Sequence, residues 1–270
     1  MLGALAALLV VAPAAFGDVL TPEDSPSRNA SDIHTLYVIS LAIGAVIFVL
    51  VEGILITSLI RFRQRRGGAP PAQIRGNDPL EMGWTVGATI IVMILAGITF
   101  AYLSDIENPQ SSKPGSLAGT VQVAALHQGA VPGGRSLQIH VNGQQYIWRF
   151  DYPGKEQVFS YHDMYVPVGT TVTLTIYSSD VAHSWWIPKL GGKADAIPGH
   201  KNYTWFRVDK PGSFYGQCAE LCGNNHADMR ARVIVLPPDQ FTAWMTRQAA
   251  DIKQSQADLS LARRIRGGGP

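Results

Sequence analysis

Hydrophobic residues follow three different patterns along this chain. Leu2 to Phe16 is a short, alanine-rich apolar run that ends in Ala15-Phe-Gly17 before Asp18. Small residues at that point fit a signal-peptide cleavage site, although no Lys or Arg precedes the run. Leu36 to Ile60 and Trp84 to Leu103 are long runs with almost no polar interruption. At ~1.5 Å per residue each is long enough to cross a hydrocarbon core of ~30 Å. From Val121 the pattern changes to short β-rich stretches separated by Gly, Pro, Asn and Asp turns. These predict strands at 121–126, 136–141, 146–152, 158–166, 171–177, 184–187, 203–208 and 231–236. Many short strands at such spacing argue for a sandwich or barrel. Phe241, Trp244, Met245 and Ile252 then recur at roughly helical spacing, which predicts a helix over 239–254.

The remaining stretches divide the chain. Residues 1–17 are read as a signal peptide, 18–34 as a polar extracytoplasmic loop, and 35–104 as a transmembrane hairpin with its loop at 61–80. Residues 105–118 are read as a linker and 119–237 as the β domain. Residues 238–270 are read as a C-terminal helix and a disordered tail that is basic and glycine-rich from Arg263.

Charge adds an orientation. Arg61, Arg63, Arg65, Arg66 and Arg75 all lie between the two long apolar runs. By the positive-inside rule that loop is cytoplasmic, and two crossings then place the whole β domain outside. The 46% hydrophobic and 16% charged composition fits membrane attachment, and a formal net charge of +2 gives no reason to expect a nucleic-acid partner. Glu52 lies inside the first long run, where an acid is costly and usually turned to a partner or a water path. Glu81, in Leu80-Glu81-Met-Gly-Trp84, stands at the start of the second, where a helix N-terminus favours negative charge.

The chemistry concentrates in Cys218-Ala-Glu-Leu-Cys222-Gly-Asn-Asn-His226-Ala-Asp-Met229. Thiols, imidazole and thioether together are soft ligands suited to copper or zinc, not to magnesium or calcium. Structural zinc usually takes four strong Cys or His ligands. A single electron-transfer copper takes two histidines, one cysteine and a weak methionine. This stretch has one cysteine more than that, and two thiolates can each bridge two metals, so the extra cysteine suggests a copper pair. His183, in Asp180-Val-Ala-His183-Ser-Trp185, is the candidate second histidine. The alternative is that the two cysteines form a disulfide, as two cysteines in an exported domain often do.

These residues resemble the copper A signature of subunit II of haem-copper cytochrome c oxidases. Val181-Ala-His183-Ser-Trp185 and Lys193-Ala-Asp195-Ala-Ile-Pro-Gly199 resemble that family's upstream motifs. The similarity runs from the first membrane helix to Leu236. It implies a two-helix transmembrane hairpin followed by an all-β cupredoxin-like Greek-key barrel carrying a binuclear copper A centre. Residue by residue, it implies Cys218 and Cys222 as bridging thiolates. His183 and Met229 then ligate one copper, and His226 and the backbone carbonyl of Glu220 the other. It further implies the Glu220 side chain as a magnesium ligand at the junction with subunit I, with Asp195 nearby.

Gln145-Tyr146-Ile-Trp148 resembles the aromatic stretch beneath the cytochrome c docking surface, with Tyr146 where a tryptophan commonly admits the electron. For Trp148 the competing reading is plain core packing. Asp151, Asp163 and Asp180 could add negative charge for a basic donor. Glu81 matches the mouth of a proton pathway into subunit I, although Ala88 stands where the family often has proline. The implied role is electron acceptance from a cytochrome c-type donor and transfer to haem in subunit I. There oxygen is reduced to water, coupled to proton translocation. The implied partners are subunit I, other oxidase subunits and membrane lipid, and the implied location is the plasma membrane, with two spans. A copper A nitric oxide reductase subunit and a metal-free quinol oxidase subunit are the alternatives. A membrane-anchored copper chaperone fits the paired helices less well, and nitrous oxide reductase would need a large domain that this chain lacks.

Overall fold

The computed structural model describes residues 25–63, 73–116, 136–154 and 157–267. The signal-peptide residues, the strand predicted at 121–126, and Arg65 and Arg66 lie outside these. The chain divides into two units, one of residues 35–104 and the other of 1–34 with 105–270.

The first unit is the hairpin. Helix α1 runs Arg28–Arg61 and helix α2 runs Asp78–Glu107, both longer than the apolar runs that predict them. Among the described residues these two are long and apolar enough to cross a membrane. No residue of α2 is buried, and Phe100 is 73% exposed. The start of α2 is fixed locally. Asn77 Oδ1 accepts from the Leu80 N–H at 3.3 Å, and Glu81 Oε1 accepts from the Asn77 N–H at 3.2 Å. This reciprocal cap satisfies two backbone donors that a helix N-terminus leaves open.

The loop predicted up to His34 is helical from Arg28. Its polar residues are not left to solvent: Asn29 Nδ2 donates to the Trp205 carbonyl at 2.6 Å, and Ser25 Oγ donates to the Lys189 carbonyl at 2.6 Å. Contacts with the β domain thus order a polar stretch that composition alone reads as loop.

The second unit holds two main sheets. Strands β1 (Leu137–Gln144), β2 (Ile147–Tyr152), β3 (Val158–Tyr161), β5 (Thr171–Ser178) and β8 (Asn202–Arg207) form one, in the order β3-β2-β1-β5-β8. Strands β4 (Asp163–Pro167), β9 (Gly212–Gln217) and β10 (Arg230–Leu236) form the other, in the order β4-β10-β9. β6 (His183–Trp185) and β7 (Ala194–Ala196) pair as a short third sheet. β1 with β5 and β4 with β10 are parallel, and the other pairs are antiparallel. Parallel neighbours separated in sequence require long crossovers, so this is the expected Greek-key, cupredoxin-like arrangement rather than a meander. Inward positions alternate along β2 and β10, and Ile139, Phe150, Met164, Leu174, Ile176 and Val233 are fully buried between the sheets.

Three strand expectations are corrected. The single strand at 158–166 is two strands on different sheets. His162 takes φ 59° between them, donates its N–H to the Trp148 carbonyl at 3.0 Å and accepts at its own carbonyl from the Arg232 N–H at 2.8 Å. Histidine is one of the few side chains that enter this left-handed region with some frequency. β7 and β9 were not predicted. β9, Gly-Ser-Phe-Tyr-Gly-Gln, contains no β-branched residue and is extended because it pairs with β10.

Helix α3 (Pro238–Gly267) closes the unit. Trp244 stacks on Tyr165 with ring centroids 4.4 Å apart and meets Tyr152 edge-on at 5.1 Å. Arg263 to Gly267, expected to be disordered, continues this helix. From Lys253 onward its side chains are exposed, so helix-forming Ala, Leu, Gln and Arg and the Gln254–Asp258 hydrogen bond at 2.9 Å support it locally.

Candidate metal centre

Two chain segments meet at one end of the β domain. His183 begins β6, and residues 218–229 connect β9 to β10. The connection is tied to itself by the Cys218 N–H on the Met229 carbonyl at 2.8 Å, and to β6 by the Ala219 N–H on the Ser184 carbonyl at 2.9 Å. A short turn of 3-10 helix, His226–Asp228, brings the methionine back toward the cysteines.

The sulfur and nitrogen atoms converge. Cys218 Sγ lies 4.0 Å from Cys222 Sγ. Both thiols are free, so the disulfide alternative is not what this fold forms. A disulfide needs ~2.0 Å, whereas 4.0 Å leaves room for a metal at ~2.3 Å from each sulfur. His183 Nδ1 lies 3.9 Å from Cys218 Sγ, and the Glu220 carbonyl oxygen 3.2 Å from the same sulfur. His226 Nδ1 is 3.5 Å and Met229 Sδ 3.8 Å from Cys222 Sγ. Each sulfur therefore has one imidazole nitrogen and one weaker donor beside it. His183, Cys218 and Cys222 form a buried group able to hold a metal ion. Thiol, imidazole and thioether fit copper. Met229 is also fully buried, whereas His226 is half-buried and the Glu220 side chain is exposed.

Burial pushes the Cys222 thiol up to about 11, with neighbouring Cys218 adding to the shift. The Asp180 carboxyl lies below its ordinary value. Its burial acts the other way, but N–H groups of Gln145 and Val181 and the His183 ring all stabilise the carboxylate. Asp180 Oδ1 meets His183 Nε2 at 2.8 Å, which leaves Nδ1 of that ring facing the sulfur. Such a carboxylate behind a ligating histidine fixes its tautomer and orientation. The ring is also held on its flanks. Trp148 meets it edge-on at 5.9 Å, and a Cβ built on Gly143 would lie 2.9 Å from His183 Cδ2.

Other predicted residues fall as follows. Trp148 is fully buried in β2, against His183. Tyr146 is half-buried, and its hydroxyl lies 2.5 Å from where a Cβ on Gly223 would be. Asp195, on β7, is exposed and pairs in register with Ser184. Glu81 and Glu52 belong to the hairpin unit, away from the ligand set in sequence and described with their own helices. Of the acids considered for a donor surface, Asp151 is paired with Arg149 at 2.7 Å and Asp163 with Arg232 through two hydrogen bonds. Sequence reasoning missed the roles of Asp180, Gln145 and Gly143. Only the three-residue spacing of Asp180 to His183 offered a signal.

Comparisons with known proteins identify a family. Residues 18–102 match the family described as cytochrome c oxidase subunit II, transmembrane domain, and residues 159–236 match its periplasmic domain. Cytochrome c oxidase subunit 2 of Alkalihalophilus pseudofirmus is 34% identical over 89% of this chain and 66% of its own length. That of Thermostichus vulcanus is 32% identical over 86% of this chain and 79% of its own. The solved periplasmic domain of subunit II of cytochrome oxidase from Bradyrhizobium japonicum is 30% identical, covering 48% of this chain and 99% of that one at a TM-score of 0.42.

Proposed function

The chain belongs to the cytochrome c oxidase subunit II family, and from that premise we propose that it is the electron-accepting subunit of a haem-copper oxidase with a binuclear copper A centre. It is a membrane protein with two spans and an extracytoplasmic β domain, and it contributes to an oxidoreductase complex. The observation that carries the copper proposal is the paired sulfurs with an imidazole beside each. A metal-free quinol-oxidase reading gives no reason for all the soft side chains to face one another.

Cys218 and Cys222 would bridge two coppers. His183 and Met229 would complete one, and His226 with the Glu220 carbonyl the other. Copper bound there supplies a one-electron relay whose charge is shared by two ions. The protein's part is to keep that geometry unchanged on gain and loss of an electron. Buried His183, Cys218, Cys222 and Met229 keep water from the sulfurs. Asp180 holds the His183 ring, and β6 and β10 anchor the two segments on a rigid sandwich. Tyr146 beside Gly223 is the proposed point of electron entry, with Trp148 behind it in the core. The donor is a cytochrome c-type protein and the acceptor is haem in subunit I. The exposed Glu220 carboxylate is the proposed magnesium ligand at that junction, and Asp195 is the residue proposed to lie near the junction. Glu81 is the proposed proton-path entrance, and it also caps α2.

The test is copper analysis of the purified full chain. Two coppers per chain are expected in wild type. One copper, or zinc retained under copper-replete conditions, would reject the proposal.

A further inference from the structure

The turn between β1 and β2 reaches both halves of the ligand set. The backbone N–H of Gln145 donates to Asp180 Oδ2 at 2.7 Å. The other oxygen of that carboxylate meets His183 Nε2 at 2.8 Å. The side-chain amide of the same Gln145 donates to the Cys222 backbone carbonyl at 2.6 Å. One residue therefore joins partners 35 and 77 positions away in the chain.

We infer that Gln145, acting with Asp180, is a positioning residue that fixes the His183 strand and the Cys222 loop relative to each other. The inference rests on the proposed copper site for its ligand set.

The need for such a bridge follows from burial. Seven of the twelve residues from Cys218 to Met229 are exposed, so packing alone does not order this connection. Its hydrogen bonds must do so, and a loop fixed only at its own ends can still open. Ala219 fastens it near Cys218, through Ser184. Gln145 fastens it at Cys222, on the other sulfur.

The close approach of the turn is built in at Gly223. There φ is 130°, and a Cβ would meet Gln145 Nε2 at 3.0 Å and Tyr146 Oη at 2.5 Å. A side chain at that position would push the turn away. The chemical identity of residue 145 matters as well. A carbonyl must be met by a donor, which an amide provides and a carboxylate or thioether of similar size does not.

The experiment uses the metal-free, detergent-solubilised full chain. Its readouts are the rate at which a thiol reagent labels Cys218 and Cys222 and the thermal unfolding midpoint. Both cysteines are at most 5% exposed, so labelling reports opening of the loop. Gln145→Met should label roughly fivefold faster, the scale of one lost hydrogen bond, with the midpoint unchanged. Asp180→Ala should behave likewise. Asp180→Asn keeps one acceptor where the bridge uses two, so it should restore at most part of the protection. The double variant Gln145→Met/Asp180→Ala should label no faster than the faster single variant, because the two residues form one bridge.

Unchanged labelling, multiplied effects in the double variant, or labelling that merely tracks a falling midpoint would each overturn the inference. Copper content separates the two claims. A wild type that holds no copper pair but reproduces the labelling pattern rejects the proposed function and keeps the bridge. A wild type with two coppers whose variants label at the wild-type rate rejects the bridge and keeps the function.

Discussion

Phe100 and Phe150 show how differently the two units use the same side chain. Phe100, on α2, is 73% exposed, while Phe150, on β2, is fully buried. The hairpin satisfies its backbone within each helix and turns its apolar side chains outward, which is stable only in lipid. The β domain turns them inward and satisfies its backbone between strands. Only the second arrangement produces a rigid end where loops from distant parts of the chain can meet. The hairpin therefore follows from composition, and the proposed metal centre follows from topology.

The largest effect should come from removing a sulfur, and it asks whether the β domain depends on its metal as the hairpin depends on lipid. Cys218→Ser should lose the copper pair and with it oxidase activity. Its metal-free fold should remain, because Cys218 is one small residue of a large core. Copper content, activity and circular dichroism read together check this. Retention of two coppers with normal turnover would remove the bridging assignment, and unfolding in step with metal loss would make the metal structural. Next in size is a matched pair. Phe150→Ala should destabilise the β domain by about 3–5 kcal/mol through a cavity. Phe100→Ala should leave domain unfolding unchanged, since it removes no internal contact from that unit. Thermal or denaturant unfolding of the two variants compares them directly.

This contrast also explains what could be read in advance. The spans were legible because twenty apolar residues in a row have few other uses. Their ends were not. Arg28 to His34 looks like loop, but it is helical and tied to the β domain through Asn29 and Trp205. The proposed ligands stood out because Cys218, Cys222, His226 and Met229 are close in sequence and chemically unusual. His183 is 35 residues before Cys218, and it entered only as the candidate for a second histidine that the cysteine stretch itself lacks. Gln145 could not be found at all, because its role depends on where the β1–β2 turn ends up. The split at His162 was hidden for a related reason. Both halves are extended and β-rich, and only the change of sheet tells them apart.

A third matched pair concerns charge. Val46, within α1, and Ile265, near the end of α3, are 69% and 74% exposed. Exposure alone would rank them as equivalent. Arginine at the centre of a spanning helix costs about 3 kcal/mol on insertion scales, so Val46→Arg should cut the membrane-integrated fraction of the chain. Alkaline extraction of membranes measures that fraction, and full integration of the variant would show that α1 does not lie in lipid.

Ile265→Arg should have the smallest effect. Its helix is long, but beyond Ile252 none of its described residues has a buried side chain. Its neighbours Arg263, Arg264 and Arg266 are already charged, and arginine has a slightly better helix propensity than isoleucine. Added positive charge near a helix C-terminus also agrees with the helix dipole, while repulsion from the nearby arginines offsets part of that gain. The net change should be within about 0.5 kcal/mol, as for most surface substitutions. Unfolding midpoint, membrane integration and copper content should all match wild type. A fall in oxidase assembly or activity, with those three unchanged, would show that the exposed Leu261–Ile265 side of α3 faces another oxidase subunit rather than water.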